Sequence, residues 1–266
     1  MKMINSFTIK CFIAKIYDII GISDRKIDEL SRKYNGNYIR IINYHHVSNP
    51  EMFSQQLQYY TKHFKNVNYQ EFESFLNKGT LTGDKPGIIL SFDDGYEDNY
   101  SVALRCLEMF GFTGWFMVSS DLVGTNGYMD SEQLQKLLSV GHVIGDHTAT
   151  HHRMKHEDTE QLLEYEIVES KEKLEKMLNT EIKIFCWCGG EEEHYTAKAA
   201  KIIRSAGYKY GFMTNSYPVV AGNNPFHIQR INVEDSWPLS LVKLQISGFM
   251  DRRFEKKRLR VDSETK

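Results

Sequence analysis

The feature that most constrains the fold is a regular alternation of short apolar segments with longer amphipathic ones. The segment PGIILSF (residues 86–92) is almost continuously apolar, which is typical of a strand buried on both faces. Segments such as EMFSQQLQYYTKHF (residues 51–64) instead repeat apolar residues at helical spacing. Strands that alternate with helices of this length indicate βαβ units and a parallel sheet. About seven such units in one chain predict a closed or partly closed α/β barrel.

Polar clusters follow four of the predicted strands. In barrels of this class the chemistry lies at the carboxyl ends of the strands, where side chains from different strands meet. The four clusters are YHHV (44–47), DDGY (93–96), DHTATHH (146–152) and CWCGG (186–190). We therefore expect them to converge on one rim of the barrel.

Two adjacent carboxylates, Asp93 and Asp94, leave the strand PGIILSF. Adjacent side chains at a strand end point in different directions, so this pair is not expected to share a proton. Two separate roles fit better, with one carboxylate on a metal ion and the other on a water molecule. Gly95 permits the tight turn that lets both face the rim. The alternative is a simple turn or a helix N-cap.

Two histidines, His147 and His151, are spaced four residues apart, and His152 follows them. Both imidazoles can face one ion if the segment curls into a helical turn. Two histidines and a carboxylate form a set that leaves other coordination positions open for water and substrate. Zinc in such a site generates a nucleophile near neutral pH. Solvated surface histidines are the alternative, and the neighbouring aspartates favour the metal site.

SFDDGY and HTATH resemble the first and second motifs of the polysaccharide deacetylases, the NodB-homology family also called carbohydrate esterase family 4. The likeness extends from Ile41 to Val233. It is closest to a branch that resembles the poly-N-acetylglucosamine deacetylases, with a Tyr-His motif near the N-terminus. The resemblance implies a distorted or incomplete (β/α) barrel of about seven parallel strands and a metal-dependent deacetylase.

The resemblance also implies roles for individual residues. Asp94, His147 and His151 would hold a divalent ion, with zinc as the first expectation. Asp93 would be the base that activates a metal-bound water for attack on the acetyl carbonyl. Arg230, in RINV, matches a recurring Arg-Ile of the branch and would sit against Asp93 to keep it ionised. A surface ion pair is the alternative for Arg230.

INYHHV resembles the Tyr-His motif of the same branch, which makes His45 the implied general acid and His46 its alternative. Alternate side chains of a strand face opposite sides, so only one of the two is expected to face the site. A strand-end histidine bonded to a backbone carbonyl is the structural alternative. Tyr96 and Trp187, together with His46, are the predicted substrate-binding residues.

The third motif departs from the family. FCWCGG (185–190) stands where the branch has Phe-Ala-Tyr-Pro-Tyr-Gly, so Cys188 takes the place of the proline. Gly189 is at the position whose backbone N–H is implied in the oxyanion hole, and a backbone donor survives a change of side chain. Cys186 and Cys188 share one face of a strand, which leaves open a metal or redox pair, although buried packing is favoured.

The remaining segments divide the chain into three predicted parts: an amphipathic helical segment (1–36), a catalytic domain (37–250) and a charged, frayed tail (251–266). In the first part, Phe12, Ile13, Ile16, Ile19 and Ile20 recur at helical spacing. This helix is expected either to pack on the domain or to lie on a membrane, with peripheral contact through residues 7–20.

Charge and cysteine content narrow the partners and the compartment. A formal net charge of −2 gives no reason to expect nucleic acid. Four irregularly spaced cysteines favour a reducing compartment, and we expect no signal peptide and no transmembrane segment. Cytoplasmic residence is therefore predicted, and membrane association through the N-terminal helix is left open.

The leading hypothesis is a metal-dependent hydrolase that removes an acetyl group from an N-acetylated amino sugar. An intracellular location would favour a glycan precursor, either lipid-linked or nucleotide-linked. Two alternatives stay open: a carbohydrate-binding pseudoenzyme, which the altered FCWCGG loop motivates, and an amidohydrolase that acts on a non-sugar amide.

Overall fold

The computed structural model describes residues 6–266, so the first five residues of the predicted N-terminal segment lie outside the description. Nine strands form one sheet, and every named pair of strands runs parallel. They are β1 Ile39–Tyr44, β2 Lys65–Asn66, β3 Gly87–Phe92, β4 Gly114–Val118, β5 Val143–Asp146, β6 Ile184–Cys186, β7 Tyr210–Met213, β8 Ile228–Gln229 and β9 Ile231–Asn232.

The sheet closes on itself through the segment that holds β8 and β9. The strand order is β8-β7-β6-β5-β4-β3-β1-β9, with β2 added to the start of β3. Since β8 pairs with β7 and β9 pairs with β1, residues 228–232 join the two edges of the sheet. β8 and β9 therefore occupy one position in the barrel. The prediction of a distorted barrel of about seven parallel strands is confirmed, and the additional strands are two-residue pieces.

Helices pack around the barrel. They are α1 Ser6–Ile19, α2 Ile22–Lys33, α3 Pro50–His63, α4 Tyr69–Lys78, α5 Leu104–Phe110, α6 Ser131–Ser139, α7 Glu160–Leu163, α8 Ser170–Leu178, α9 Ala197–Ser205, α10 Leu239–Ile246 and α11 Glu255–Glu264. Single π-helical turns precede α5 and α8. Gly79 and Gly111 end α4 and α5 in the left-handed conformation, as their positions in the sequence predict.

Strand alternation separates two buried layers. On β3, Ile88, Leu90 and Phe92 pack outward against the helices, whereas Ile89 belongs to the cluster inside the barrel. The same inner cluster contains Ile39 and Ile41 of β1, together with residues of β4, β6, β7 and β8. Because side chains alternate, the residues that continue the inner rows past the strand ends reach the rim from inside.

Helix α1 packs on α10 through one face only. Ala14 is fully buried against Leu241 and Leu244, and Asp18 forms an ion pair with Lys243 at 2.8 Å. The opposite face leaves large apolar side chains exposed. No helix within residues 6–266 is long and apolar enough to cross a membrane.

The prediction of a frayed C-terminal tail is wrong, because the last residues form the docked helix α11. Val261 is 1% exposed and joins the outer core cluster. Arg258 donates from Nη1 to the carbonyl oxygens of Asn215, Ser216 and Asp251. The sequence did not predict this contact, because the tail is mostly charged and a single buried valine gives no helical hydrophobic periodicity.

The docking of α11 can be tested with two substitutions on the same helix. Val261→Ala is expected to cost about 2 kcal/mol of unfolding free energy, because it removes buried methyl groups and leaves a cavity. Leu259→Ala is the matched control, since Leu259 is 66% exposed and its loss should change stability by less than about 0.5 kcal/mol. Denaturant unfolding measures both values. Equal costs for the two variants would show that α11 is not docked.

Candidate metal and acid–base site

The four predicted clusters meet at the carboxyl ends of β1, β3, β5 and β6, beside the closing segment 228–232. Asp93 and Asp94 follow β3, and His147 follows β5. Parallel strands in neighbouring positions bring these ends to one rim, as the sequence predicts.

Asp93 is paired with Arg230 inside the barrel. The Nη1 and Nη2 atoms of Arg230 lie 2.6 Å and 2.8 Å from the two carboxylate oxygens, which is a bidentate ion pair. Arg230 is fully buried and Asp93 is 3% exposed. Burial alone would raise the pKa of Asp93, but the charge of Arg230 outweighs it, so the pKa lies below its ordinary value. Asp93 is therefore held as a carboxylate.

Asp94 turns away from Asp93 and faces two imidazoles. Its Oδ1 atom lies 3.3 Å from Nε2 of His147 and 3.1 Å from Nε2 of His151. Burial would raise the pKa of Asp94, but the two histidines outweigh that effect and hold the pKa well below its usual range. The division of the two aspartates between different partners agrees with the expectation drawn from the strand end.

The backbone around these residues is strained. Asp94, Thr148 and His151 all have positive φ angles, at 73°, 64° and 62°, although none is glycine. Residues in this region cost on the order of 1 kcal/mol or more and concentrate at functional sites. The expected helical turn between His147 and His151 is therefore wrong. The two left-handed residues bring the imidazoles together instead, with ring centroids 5.1 Å apart.

These residues fit a divalent metal ion. Nδ1 of His147 lies 2.9 Å from the carbonyl oxygen of Cys186, which can only accept, so Nδ1 carries a proton, and the neutral imidazole then presents the lone pair of Nε2 toward Asp94. The buried Oδ1 of Asp94 has no hydrogen-bond partner within residues 6–266. The carboxylate of Asp94 favours a positive charge at the two imidazoles, and its lowered pKa reflects that interaction. A divalent cation bound by neutral histidines would supply the same charge.

Two other ligand groups overlap with this set. The first, within the described residues, consists of His147, His151 and Cys188, and the second consists of Asp93, His147 and Cys186. In each group the ligand atoms lie within 4.8 Å of one another. Burial raises the pKa of the Cys186 thiol, so it is a poor ligand at neutral pH. Cys188 Sγ lies 3.3 Å from the carbonyl oxygen of His147, which is consistent with buried packing. We therefore favour the set that contains Asp94.

The two histidines of YHHV point to different neighbours. His45 continues the inner row of β1, its Nδ1 lies 3.9 Å from Oε1 of Glu234, and it is close enough to help lower the pKa of Asp93. His46 instead stacks on Tyr96 with ring centroids 3.7 Å apart, and its Nδ1 lies 2.7 Å from Asp98. The orientation of His45 favours it as the general acid, and this role stays a prediction.

The FCWCGG loop differs from its expected role at one residue. Gly189 has a φ of 76°, and within residues 6–266 its N–H has no hydrogen-bond acceptor, so this donor remains available. Trp187 is 3% exposed and packs edge-on against Phe185 and Tyr195 in the outer core. A side chain in that position cannot form a wall for substrate, and we do not retain Trp187 as a substrate-binding residue.

Sequence reasoning missed three side chains that support the site. Asn43 and Ser91 accept hydrogen bonds from Nη1 of Arg230, at 3.1 Å and 3.2 Å, and Glu234 lies beside His45. Asn43 precedes His45 by two residues and Ser91 precedes Asp93 by two. Residues two apart on a strand face the same side, so Asn43 and Ser91 point into the barrel as His45 and Asp93 do. This spacing is the sequence pattern that could have identified them.

Comparison with known proteins agrees with this geometry. Residues 80–211 match the family model described as polysaccharide deacetylase. The curated Bacillus subtilis (strain 168) protein named "Putative polysaccharide deacetylase YxkH" is 24% identical over 200 residues, which cover 73% of this chain and 70% of that protein.

Solved structures share the fold. The Streptococcus pyogenes deacetylase PplD, in complex with acetate, superposes with a TM-score of 0.70 at 24% identity, covering 79% of this chain and 98% of that one. IcaB from Ammonifex degensii gives a TM-score of 0.67 at 23% identity with the same coverage. The match over residues 80–211 identifies in this chain a polysaccharide deacetylase domain of the NodB-homology type, a family of hydrolases that act on amide bonds.

Proposed function

We propose that the protein is a metal-dependent hydrolase that removes the acetyl group from an N-acetylated amino sugar of a glycan or glycan precursor. The observation that carries this proposal is the separation of the two adjacent carboxylates. Asp94 faces two histidines in an arrangement that fits a cation, while Asp93 is held ionised by a buried arginine. Metal-assisted hydrolysis of an amide uses a Lewis-acidic ion and a base beside it.

The metal site would consist of Asp94, His147 and His151, with zinc as our first expectation. A divalent ion bound there would polarise the acyl oxygen and lower the pKa of a water molecule. Asp93 would accept the proton of the attacking water. Arg230 is a positioning residue in this proposal, because its bidentate contact fixes the orientation of Asp93 and keeps it charged.

The remaining steps would use residues that follow β1 and β6. His45 would donate a proton to the nitrogen of the sugar as the carbon–nitrogen bond breaks, and Glu234 is placed to orient its ring. The free N–H of Gly189 would stabilise the negative charge that develops on the acyl oxygen. Acetate and a free amino sugar are the products.

The substrate is proposed from the surroundings of the site. Tyr96 stacks with His46 and with Tyr128, which forms a row of aromatic rings beside Asp94 that suits the apolar face of a sugar. Within the glycan precursors, lipid-linked and nucleotide-linked N-acetylhexosamines are the substrates to test first, and peripheral membrane contact through residues 7–20 would suit a lipid-linked one. Cytoplasmic residence remains an expectation from composition.

An acetate-release assay tests this function. The purified full chain is incubated with monosaccharide, nucleotide-linked, lipid-linked and polymeric N-acetylhexosamines, before and after removal of metal with a chelator. Release of acetate from at least one of them is expected, with loss on chelation and recovery on addition of zinc. Binding of these sugars without any acetate release would favour the carbohydrate-binding pseudoenzyme. Release only from non-sugar amides would favour the general amidohydrolase.

A further inference from the structure

Helix α1 presents an apolar face on the side opposite its contact with the barrel domain. The face consists of six side chains that are 39–75% exposed: Ile9, Phe12, Ile13, Ile16, Ile19 and Ile20. At 3.6 residues per turn they span about 120° around the helix, centred opposite the buried Ala14. A soluble domain has no reason to expose this many large aliphatic residues in one strip, so the strip indicates a binding surface.

Positive charges border the apolar face of α1. Lys10 and Lys15 lie on its two sides and are exposed, and neither forms an ion pair within residues 6–266. The acidic residue of the helix, Asp18, faces the protein and is neutralised by Lys243. An apolar strip between two lysines is the pattern of a helix that lies in a lipid interface, where the aliphatic stems reach into the apolar layer and the ammonium groups stay at the headgroups.

Aromatic side chains extend this surface. Phe249 is 44% exposed and packs edge-on against Tyr17, with ring centroids 5.8 Å apart. Phe7 lies instead on the side of Ala14 and packs on Trp237 at 6.3 Å, so it does not belong to this surface. Aromatic rings of this kind are enriched at the level of lipid headgroups.

We propose that the apolar face of α1 docks on the surface of an anionic lipid bilayer. Helix α1 has 14 residues, so it is about 21 Å long and too short to span the hydrocarbon core of about 30 Å. It therefore lies parallel to the bilayer plane. A second copy of the chain is a poorer occupant, because a twofold interface would bring Lys10 and Lys15 of both copies together.

On its protein side, helix α1 also contacts the loop that holds Glu234. Trp237, which contacts Phe7, is three residues from Glu234, the neighbour of His45. Gln56 fixes this loop by donating from Nε2 to the carbonyl oxygens of Glu234 and Asp235. The docking surface itself does not depend on the proposed deacetylase function, and its test has a separate readout.

Vesicle flotation tests the docking surface with the full chain. Vesicles of phosphatidylcholine with about one-third phosphatidylglycerol are compared with pure phosphatidylcholine. The full chain is expected to float with the anionic vesicles, and Phe12→Glu/Ile16→Glu should reduce the partition coefficient more than tenfold. The matched control is Met109→Glu/Leu259→Glu, because these residues are apolar and at least as exposed (67% and 66%) but lie elsewhere. This control should bind as the wild type does.

The charge contribution is tested separately. Lys10→Ala/Lys15→Ala is expected to weaken partition to anionic vesicles about thirtyfold, which corresponds to roughly 1 kcal/mol for each lysine, and to leave the weaker binding to neutral vesicles unchanged. Failure of the wild type to float, or equal binding by Phe12→Glu/Ile16→Glu, would overturn the proposal. A third result would also overturn it: light scattering shows a dimer of the wild type that Phe12→Glu/Ile16→Glu dissociates, and the wild type does not bind vesicles. That result would assign the face to self-association.

Discussion

Replacing Asp93 with asparagine is expected to lower kcat for acetate release by about 10²–10⁴-fold, the usual contribution of a general base. Asparagine has nearly the same shape as aspartate and still offers Arg230 an acceptor oxygen, but its amide cannot take a proton from water. KM should change little, because Asp93 lies 3% exposed at the inner end of the site. Steady-state kinetics on the substrate found in the acetate assay measures both constants.

The metal content of the Asp93→Asn and Asp94→Asn variants distinguishes the roles of the two aspartates. Asp93→Asn should retain bound metal at the wild-type ratio, whereas Asp94→Asn should lose it, since Asp94 is the residue that both histidines face. Asp84→Asn is the control for loss of one negative charge, because Asp84 is exposed and distant from the rim. Loss of metal in Asp93→Asn and retention in Asp94→Asn would reverse the assigned roles.

Much of this site could be predicted because its residues follow patterns within short segments of the sequence. The apolar run before Asp93 predicts a buried strand, and the period of two along that strand separates the inward from the outward side chains. The same rule distinguishes His45 from His46. Together with the expectation that parallel strands end at one rim, these local patterns bring together residues that are more than 100 positions apart.

The rest depends on contacts that no local pattern encodes. The contact between Asp93 and Arg230 was expected from the family resemblance alone, because the two residues are 137 positions apart and closure of the barrel through residues 228–232 makes them neighbours. The loop between His147 and His151 was misjudged because spacing alone cannot reveal left-handed backbone at Thr148 and His151. Trp187 was assigned to substrate for its residue type, although strand alternation after Cys186, which faces into the barrel, directs Trp187 outward into the core.

Replacing Arg230 with methionine is expected to lower the free energy of unfolding by about 3–5 kcal/mol, because it leaves the carboxylate of Asp93 buried without its compensating charge. Methionine keeps much of the side-chain volume, so lost packing contributes less than lost charge. Asn43 and Ser91 also lose the donor that they share. Chemical denaturation followed by circular dichroism measures the change.

A double-mutant cycle with Asp93→Asn isolates the ion pair from these other losses. The double variant Asp93→Asn/Arg230→Met should be more stable than the sum of the two single effects predicts, by about 0.5–3 kcal/mol, because neither charge is then left alone. Arg40→Met is the matched comparison: Arg40 is equally buried and pairs with Asp251 in the same bidentate way, but outside the barrel. The Arg40→Met variant should lose about as much unfolding free energy as Arg230→Met. The molecules of Arg40→Met that remain folded should have the wild-type kcat. Simple additivity in the cycle, or full activity in Arg230→Met, would remove Arg230 from the role of holding Asp93 ionised and in place.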